Sequence, residues 1–128
     1  MLNRKDKEKL TAQEEEVMLI IWKLKGGCIK DFLELIPSPK PPYTTIASVV
    51  KNLERKSYVE SRRYGNTYYY TPAIDKDEYK RSFMSTMVRN YFANSYRDMV
   101  AFFVKEEHLT GDELDEIVKI IEKGKPRK

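Results

Sequence analysis

Apolar residues with a helical spacing predict six helices. In the third of them, Ile46 is followed by apolar residues three, four and seven positions later, the spacing that places side chains on one face of a helix. Thr11 and Glu14 have the spacing of a capping box. Glu14, Glu15 and Glu16 form an acidic triplet whose negative charge suits the dipole at the start of a helix. The first predicted helix runs from Thr11 to the Gly26-Gly27 pair, and the next four cover residues 28–36, 43–56, 75–92 and 95–107. The sixth begins at Thr110, where a second capping box is predicted.

Between the third and fourth helices the pattern changes to that of a β-hairpin. Residues 58–63 and 67–71 are rich in tyrosine, valine and threonine, which are typical of strands. Gly65-Asn66 lies between them and suits a tight turn. Three short helices followed by a hairpin is the order of a winged helix-turn-helix. We therefore predict a mainly α fold class with a small β-hairpin, in which further helices follow the winged helix-turn-helix.

The positive charge is concentrated in one part of the chain. Residues 37–72 carry six basic and two acidic residues, which accounts for the whole net charge of +4. A basic patch with interleaved tyrosines is typical of a polyanion contact, although an ordinary solvated surface is the alternative. The outer face of the third helix is small and polar near its start and basic towards its end, which suits entry into a major groove. The candidate DNA-contacting residues are Thr44, Thr45, Ser48, Lys51, Arg55, Arg62, Arg63 and Asn66.

The last part of the chain predicts a pairing region. It is net neutral, helical, and rich in aromatic residues and methionine. A stretch of about 50 residues cannot readily build an independent core, so its apolar faces must pack on the first region or on a second subunit. Two-fold pairing is the commonest solution, and it would place two recognition helices on successive turns of a duplex. The candidate dimerisation residues are Phe83, Met87, Tyr91, Phe102, Phe103, Leu114, Ile117 and Ile121.

These observations divide the chain into four segments. Residues 1–10 form a charged lead that we expect to be flexible, and residues 125–128 form a basic tail. Residues 11–72 are predicted to be a winged-helix DNA-binding domain. Residues 73–124 are predicted to be a helical dimerisation region.

The residue inventory does not favour catalysis or a bound cofactor. With one histidine, His108, and one cysteine, Cys28, no Cys/His spacing supplies the ligands of a zinc site. The five glycines include no phosphate-binding loop. We therefore expect no enzyme activity, no metal and no cofactor. The single cysteine, and the absence of an apolar stretch of about 20 residues, predict a cytoplasmic protein without membrane insertion.

Three blocks of sequence carry a specific resemblance to known proteins. They are LTAQEEEVMLIIWKL at residues 10–24, YTTIASVVKNLERK at 43–56 with the tyrosine-rich hairpin after it, and FFVKEE at 102–107. Their order and spacing over residues 10–122 resemble the penicillinase-repressor family of transcriptional regulators (BlaI/MecI/CopY type). The resemblance implies a cytoplasmic repressor that binds a palindromic operator of double-stranded DNA. It also implies a homodimer that pairs through its C-terminal helices.

The resemblance also concerns how such a repressor is released. In the antibiotic-responsive branch of the family, a membrane-embedded sensor metalloprotease triggers cleavage at an Asn-Phe bond in the fifth helix. The matching pair here is Phe102-Phe103, so the resemblance does not extend to this cleavage or to β-lactam induction. The copper-responsive branch carries a C-terminal cysteine cluster, which this sequence lacks. The inducing signal therefore stays open.

The residues alone leave three other functions to be considered. A winged helix can dock an acidic protein partner, or it can bind RNA, and both would use the same basic surface. A small hydrolase based on carboxylates is the third. Sequence-selective duplex binding that weakens steeply with salt would favour the repressor over all three.

Overall fold

The computed structural model describes residues 8–124, and within them the helices and the hairpin follow the predicted order. The helices are α1 (Ala12–Leu24), α2 (Ile29–Leu35), α3 (Tyr43–Arg55), α4 (Lys76–Tyr91), α5 (Tyr96–Lys105) and α6 (Gly111–Gly124), and the strands are β1 (Val59–Tyr64) and β2 (Thr67–Pro72). The predicted fold class, mainly α with one antiparallel hairpin, is confirmed. Most of the predicted lead (1–7) and the basic tail (125–128) lie outside the described residues.

The chain divides into two compact units with the boundary after Ser82, inside α4. We call them the winged unit, up to Ser82, and the C-terminal unit, from Phe83 onward. The winged unit continues past Pro72 because Ile74 is buried in its core and Tyr79 packs against the same core. The completely buried apolar side chains of this core come from α1, α2 and α3: Val17, Met18, Ile21, Phe32, Val50 and Leu53.

Helix α1 begins with the predicted capping box. The hydroxyl oxygen of Thr11 accepts a hydrogen bond from the N–H of Glu14 (3.1 Å), and the Glu14 carboxylate accepts one from the N–H of Thr11 (2.9 Å). Two of the backbone donors that a helix start leaves unpaired are thereby satisfied. The helix ends at Leu24, and the next residue, Lys25, caps it in the left-handed conformation with φ 63°.

The glycine pair after α1 does more than stop the helix. The N–H of Gly27 donates to the carbonyl oxygen of Tyr70 (2.9 Å), and the carbonyl of Gly27 accepts from the N–H of Tyr70 (2.8 Å). A Cβ on Gly26 would lie 2.9 Å from the same Tyr70 oxygen. Small residues at this turn therefore let β2 approach it closely, which fixes the hairpin to the helical part of the winged unit.

The C-terminal unit has little interior of its own. Among its described residues, Val88 is the one apolar side chain that is fully buried, at 0% exposure. Its helices are nevertheless capped: the Ser95 hydroxyl accepts from the N–H of Asp98 (3.0 Å). At the start of α6, Thr110 and Glu113 form the second capping box as predicted. The ends of these helices are therefore fixed by local capping, whereas burial of apolar side chains within the unit contributes little to its stability.

Candidate nucleic-acid interface

One narrow face of α3 carries most of the predicted helix contacts. We call it the outer strip: Thr44, Ser48, Lys51 and Arg55. Successive helical residues turn by about 100°, so these four lie within roughly 60° of one another, opposite the buried side of α3. All four are exposed. Thr45, the fifth predicted residue of this helix, lies towards the flank of α3 and is partly buried.

The outer strip is available for a ligand. The side chains of Thr44, Ser48 and Lys51 make no hydrogen bond or ion pair with any residue that the structure describes. Arg55 approaches Glu8 at 3.9 Å, and both side chains are at least half exposed, so this pair holds the guanidinium only weakly. No acidic residue occupies the first turn of α3, where one would repel a phosphate.

The hairpin has two faces of different character. In its register Ser61 pairs with Tyr70, Arg62 with Tyr69, and Arg63 with Tyr68. Directly paired residues share a face and successive residues alternate, so Arg62 and Arg63 lie on opposite faces. The face with Arg63 continues at its base into the buried Tyr70 and Val59.

A hydrogen bond joins the Arg63 face of the hairpin to α3. The hydroxyl of Ser61 donates to a carboxylate oxygen of Glu54 at 2.6 Å. Glu54 lies one helical turn beyond Lys51, so the hairpin is attached beside the outer strip. Burial and the neighbouring Glu54 carboxylate raise the pKa of Tyr70. This link fixes the position of the hairpin relative to α3.

Arg63 is held close to the turn of the wing. Its Nε–H donates to the carbonyl oxygen of Gly65 at 2.9 Å, and its Cζ lies 5.9 Å from the centroid of the Tyr68 ring. Gly65 has φ 61°, a conformation that disfavours other side chains. Asn66, the other turn residue, is exposed. Arg62 is exposed too, and it makes no such contact with the described part of the chain.

Two of the six basic residues in the 37–72 window serve the fold instead of the surface. The ammonium of Lys40 donates to the carbonyl oxygens at the end of α2, those of Leu33 (3.0 Å), Glu34 (3.0 Å) and Ile36 (2.6 Å). Lys56 is buried against Glu14 at 2.6 Å. The predicted surface patch therefore has two fewer free positive charges than the window as a whole. Lys40 is exposed, but its ammonium is occupied by the carbonyl oxygens at the end of α2. The exposed basic residues left for a ligand are Lys51, Arg55, Arg62 and Arg63.

The buried pair of Glu14 and Lys56 joins α1 to the end of α3. Glu14 is 4% exposed, so its role exceeds the compensation of the helix dipole predicted for the acidic triplet. Burial on its own would raise the pKa of Glu14, but the Lys56 ammonium and the N–H of Thr11 outweigh it and lower the pKa. Lys56 also donates to the carbonyl oxygen of Lys9 at 2.9 Å. The pair thus anchors residues just before α1 near the outer strip.

The sequence did not show which of the tyrosines beside the interface are buried and which are exposed. Of the three adjacent tyrosines in β2, Tyr70 is buried while Tyr68 and Tyr69 are exposed. Tyr43, in the first turn of α3, is exposed as well and was not among the predicted contacts. The two-residue turn at Gly65-Asn66 fixes the register of the two strands. Counting outward from this turn pairs Arg63 with Tyr68, so the sequence alone could have identified the pair.

The C-terminal unit presents a second surface of different chemistry. In α6, apolar side chains are exposed, and Ile121 is 60% exposed. In α5, the Phe102 ring contacts Phe92 and Phe103 with centroids 5.7 Å apart in each case, and Phe103 is only partly buried. The predicted dimerisation residues that are exposed are Phe83, Tyr91, Phe102 and Ile121, and those that are partly buried are Met87, Phe103, Leu114 and Ile117.

Outside this interface the described residues offer little other chemistry. Within residues 8–124, no group of three or more histidine, cysteine, aspartate or glutamate side chains is placed to hold a metal ion. The thiol of Cys28 donates to Asp31 at 3.3 Å, next to the backbone N–H of Cys28 at 3.0 Å, and these two bonds lower the pKa of Asp31. None of the described helices has both the length and the apolar character to cross a membrane.

A helix-turn-helix whose second helix presents a polar and basic strip, with a basic hairpin attached beside it, defines the class of winged-helix DNA-binding regulators. The family model described as penicillinase repressor matches residues 10–123. The chain therefore belongs to the penicillinase repressor family, and the resemblance seen in the sequence is confirmed. Because this family consists of transcriptional repressors, the prediction of a regulator and not an enzyme is confirmed as well.

Individual relatives agree with this assignment. The chain is similar to the penicillinase repressor of Bacillus licheniformis, with 27% identity covering 93% of this chain and 94% of that protein. It is also similar to the methicillin resistance regulatory protein MecI of Mammaliicoccus sciuri, with 24% identity covering 89% of this chain and 94% of the relative. A solved structure of Bordetella bronchiseptica BpsR aligns with a TM-score of 0.47 and 17% identity, over 91% of this chain and 75% of that one. This last similarity is too low to support an argument.

Proposed function

We propose that this chain represses transcription by binding a palindromic operator in double-stranded DNA as a homodimer, until a signal releases it. The observation that carries the proposal is the coincidence of the outer strip of α3 and the wing arginine Arg63 on adjoining parts of the winged unit. An operator occupied in this way excludes polymerase by simple steric competition.

The chemistry of the outer strip supports a division of labour on the duplex. Thr44 and Ser48 are short, so the backbone of α3 approaches the base edges closely in a major groove about 12 Å wide. Lys51 and Arg55, nearer the end of the helix, reach phosphates. Phosphate contacts supply most of the affinity, and the few base contacts supply the sequence choice. Since no arginine lies near the start of α3, we expect hydroxyl hydrogen bonds, methyl contacts and DNA shape to determine specificity.

The exposed apolar side chains of the C-terminal unit support pairing with a second copy of the chain. Leu114, Ile117, Val118 and Ile121 lie on one face of α6, and Val118 and Ile121 are more than half exposed. Such an apolar face is rarely left in water by a monomer. A symmetric pair covers the same residues on both copies. It also gives the repressor two recognition helices for the two halves of a palindrome.

Release then requires loss of pairing, because a contact with one half-site is much weaker than a contact with two. The family resemblance implies a membrane-embedded sensor metalloprotease as an upstream partner. In this chain α5 contains Phe102-Phe103 where the cleaved pair of the antibiotic-responsive branch begins with asparagine. We therefore propose that the sensor, if it acts here, takes part in the pathway without an asparagine-directed cut in α5.

The test begins with a duplex of about 30 base pairs, selected by the full chain from a random pool and long enough for two half-sites. Fluorescence anisotropy then compares the selected duplex, its scrambled version, and the RNA duplex of the same sequence over a range of salt concentrations. The proposal predicts a clear preference for the selected DNA and an affinity that falls steeply with salt. Equal binding to all three would instead favour a general polyanion or acidic-partner surface, and preference for RNA would favour the RNA-binding alternative.

A further inference from the structure

The two arginines of the wing differ in how firmly the fold holds them. Arg63 has two contacts: its Nε–H donates to the Gly65 carbonyl at 2.9 Å, and its Cζ lies 5.9 Å from the Tyr68 ring centroid. That separation is within the distance at which a guanidinium is attracted to an aromatic face. Arg62, on the other face of the hairpin, has no contact of either kind within the described residues.

The contacts of Arg63 leave its phosphate-binding end open. A guanidinium has five N–H donors, of which Nε carries one and the two Nη atoms carry four. Only the Nε–H is used within the part of the chain that the structure describes. The Nη edge is therefore left for a bidentate contact with a phosphate, the geometry for which arginine is best suited.

The hairpin face on which Arg63 lies determines which part of a bound duplex its Nη edge would contact. Ser61, Arg63 and Tyr68 share one face, and Ser61 donates to Glu54 of α3 at 2.6 Å. The Arg63 face is thus the one attached beside the recognition helix. A duplex that receives the outer strip in its major groove would present its flanking backbone to this side of the wing.

We propose that Tyr68 is a positioning residue that holds Arg63 ready for the DNA backbone, so that Arg63 and not Arg62 is the main phosphate ligand of the wing. This inference rests on the proposed function and assigns a role within the same interface. The physical reason is preorganisation: a long side chain that is already fixed loses less rotamer freedom on binding. Tyr68 acts through Arg63, and its hydroxyl is not required.

The experiment measures the affinity of the full-length chain for the selected duplex at several salt concentrations. The variants are Arg63→Ala, Arg62→Ala, Tyr68→Ala, Tyr68→Phe, and the double variant Arg63→Ala with Tyr68→Ala. Tyr69→Ala is the matched control, because Tyr69 is the next residue of β2, is similarly exposed (42% against 49%) and lies on the opposite face. Circular dichroism checks that each variant is folded.

The proposal predicts that Tyr68→Ala weakens binding by about 2- to 5-fold, the range expected for an exposed cation–π contact. Tyr68→Phe and Tyr69→Ala are expected to bind like the unaltered chain. In the Arg63→Ala background, Tyr68→Ala is expected to have no further effect, because the side chain it positions is absent. Arg63→Ala, but not Arg62→Ala, is expected to reduce the salt slope by about one.

Additive losses from Tyr68→Ala and Arg63→Ala would overturn the proposal, because Tyr68 would then contact DNA by itself. A loss on Tyr68→Phe, or an Arg62→Ala effect as large as that of Arg63→Ala, would overturn it as well. A second readout needs no DNA: in the free protein, the NMR signal of the Arg63 Nε–H should move on Tyr68→Ala and stay in place on Tyr69→Ala. If the unaltered chain binds no duplex selectively, the proposed function fails, whereas an unmoved Nε–H signal refutes the Arg63–Tyr68 pair alone.

Discussion

The two units of this chain differ in how far they bury their apolar side chains. The winged unit encloses a core to which α1, α2, α3 and the hairpin all contribute, including fully buried side chains such as Phe32 and Leu53. The C-terminal unit has helices with clear apolar faces, but Val88 alone among its described apolar residues is fully buried. The winged unit therefore has a core of its own, whereas the C-terminal unit leaves apolar side chains exposed, as the proposed pairing requires.

This difference explains why the two surfaces have different chemistry. A stable scaffold is needed to hold short hydroxyl side chains and the wing arginine in fixed positions, and the winged unit provides one. Under the proposed function the C-terminal unit must come apart on a signal. Low stability of this unit on its own favours that release, because local opening is drawn from the least stable parts of a protein. Under the same proposal, pairing of two chains would combine two weak half-site contacts into one strong contact.

The largest expected effect compares two isoleucines. Ile46 in α3 is 1% exposed and Ile121 in α6 is 60% exposed. Ile46→Ala is expected to lower the free energy of unfolding of the winged unit by about 4 kcal/mol, because the substitution leaves a cavity in a closed core. Ile121→Ala is expected to change that free energy by less than about 0.5 kcal/mol. Urea unfolding followed by Trp22 fluorescence measures both, and equal losses would contradict the contrast between the units.

The next effect concerns the buried Glu14–Lys56 pair. Glu14→Gln removes the close counterion of Lys56 and leaves its ammonium poorly paired, facing the half-exposed Glu8 carboxylate at 3.9 Å. This change is expected to cost about 3 kcal/mol of unfolding free energy. Adding Lys56→Met to Glu14→Gln is expected to restore much of the loss, because it removes the unpaired charge. Glu8→Gln is the comparison: it removes a half-exposed carboxylate that lies 3.9 Å from both Arg55 and Lys56, and it is expected to cost much less than Glu14→Gln.

The same pair gives a dependence on pH with a definite sign. The pKa of Glu14 in the folded chain lies below its ordinary value of 4.5. Its stabilising contribution is therefore present above about pH 4.5 and is lost as the pH falls through the folded pKa. The difference in unfolding free energy between the unaltered chain and Glu14→Gln should narrow in acid. If this difference in unfolding free energy stays constant from pH 7 to pH 3, the charge of Glu14 does not contribute to the stability of the chain.

A third prediction concerns the apolar surface of α6. Ile121→Asp is expected to weaken pairing by about 2 kcal/mol, or roughly 30-fold, because a carboxylate would have to be desolvated in an apolar contact. The helicity and the unfolding of the winged unit should stay unchanged. Sedimentation velocity over a range of concentrations measures the shift. Pairing that is indifferent to this charge would exclude α6 from the interface.

The smallest effect compares two lysines of the basic window. Lys51 on the outer strip is expected to contribute about 1 kcal/mol to operator binding, so that Lys51→Ala weakens binding roughly 5-fold and lowers the salt slope by about one. Lys40 is occupied by the carbonyl oxygens at the end of α2. Lys40→Ala is therefore expected to reduce stability and to leave the salt slope unchanged. Anisotropy titrations with the selected duplex separate the two, and identical salt slopes for both variants would refute the assignment.

The fold could be predicted from the sequence because its signals are local. Capping boxes at Thr11 and Thr110, apolar spacing in α3, and the Gly65-Asn66 turn each act within a few residues, and each prediction agrees with the structure. The partners of charged residues could not be predicted in this way. Lys56 meets Glu14 forty-two positions away in sequence, so both appeared as surface charges until tertiary packing brought them together.

The site was predictable only as far as it lies on one regular element. The spacing of Thr44, Ser48, Lys51 and Arg55 follows from helical geometry, so the outer strip was predictable before any coordinates were known. The different surroundings of Arg62 and Arg63 depend on strand register and on the docking of Ser61 against Glu54. Adjacent residues of like charge carry no signal that distinguishes them unless the register is counted from the turn.

The proposed repressor pairs through its C-terminal unit and presents two winged units to one duplex. Sedimentation equilibrium of the full chain at micromolar concentration, alone and with the selected duplex, tests this directly. We predict a species of about 30 kDa, twice the chain mass of 15.2 kDa, and two chains on each duplex. A particle of single-chain mass that binds the duplex with one chain, at undiminished affinity, would contradict the account.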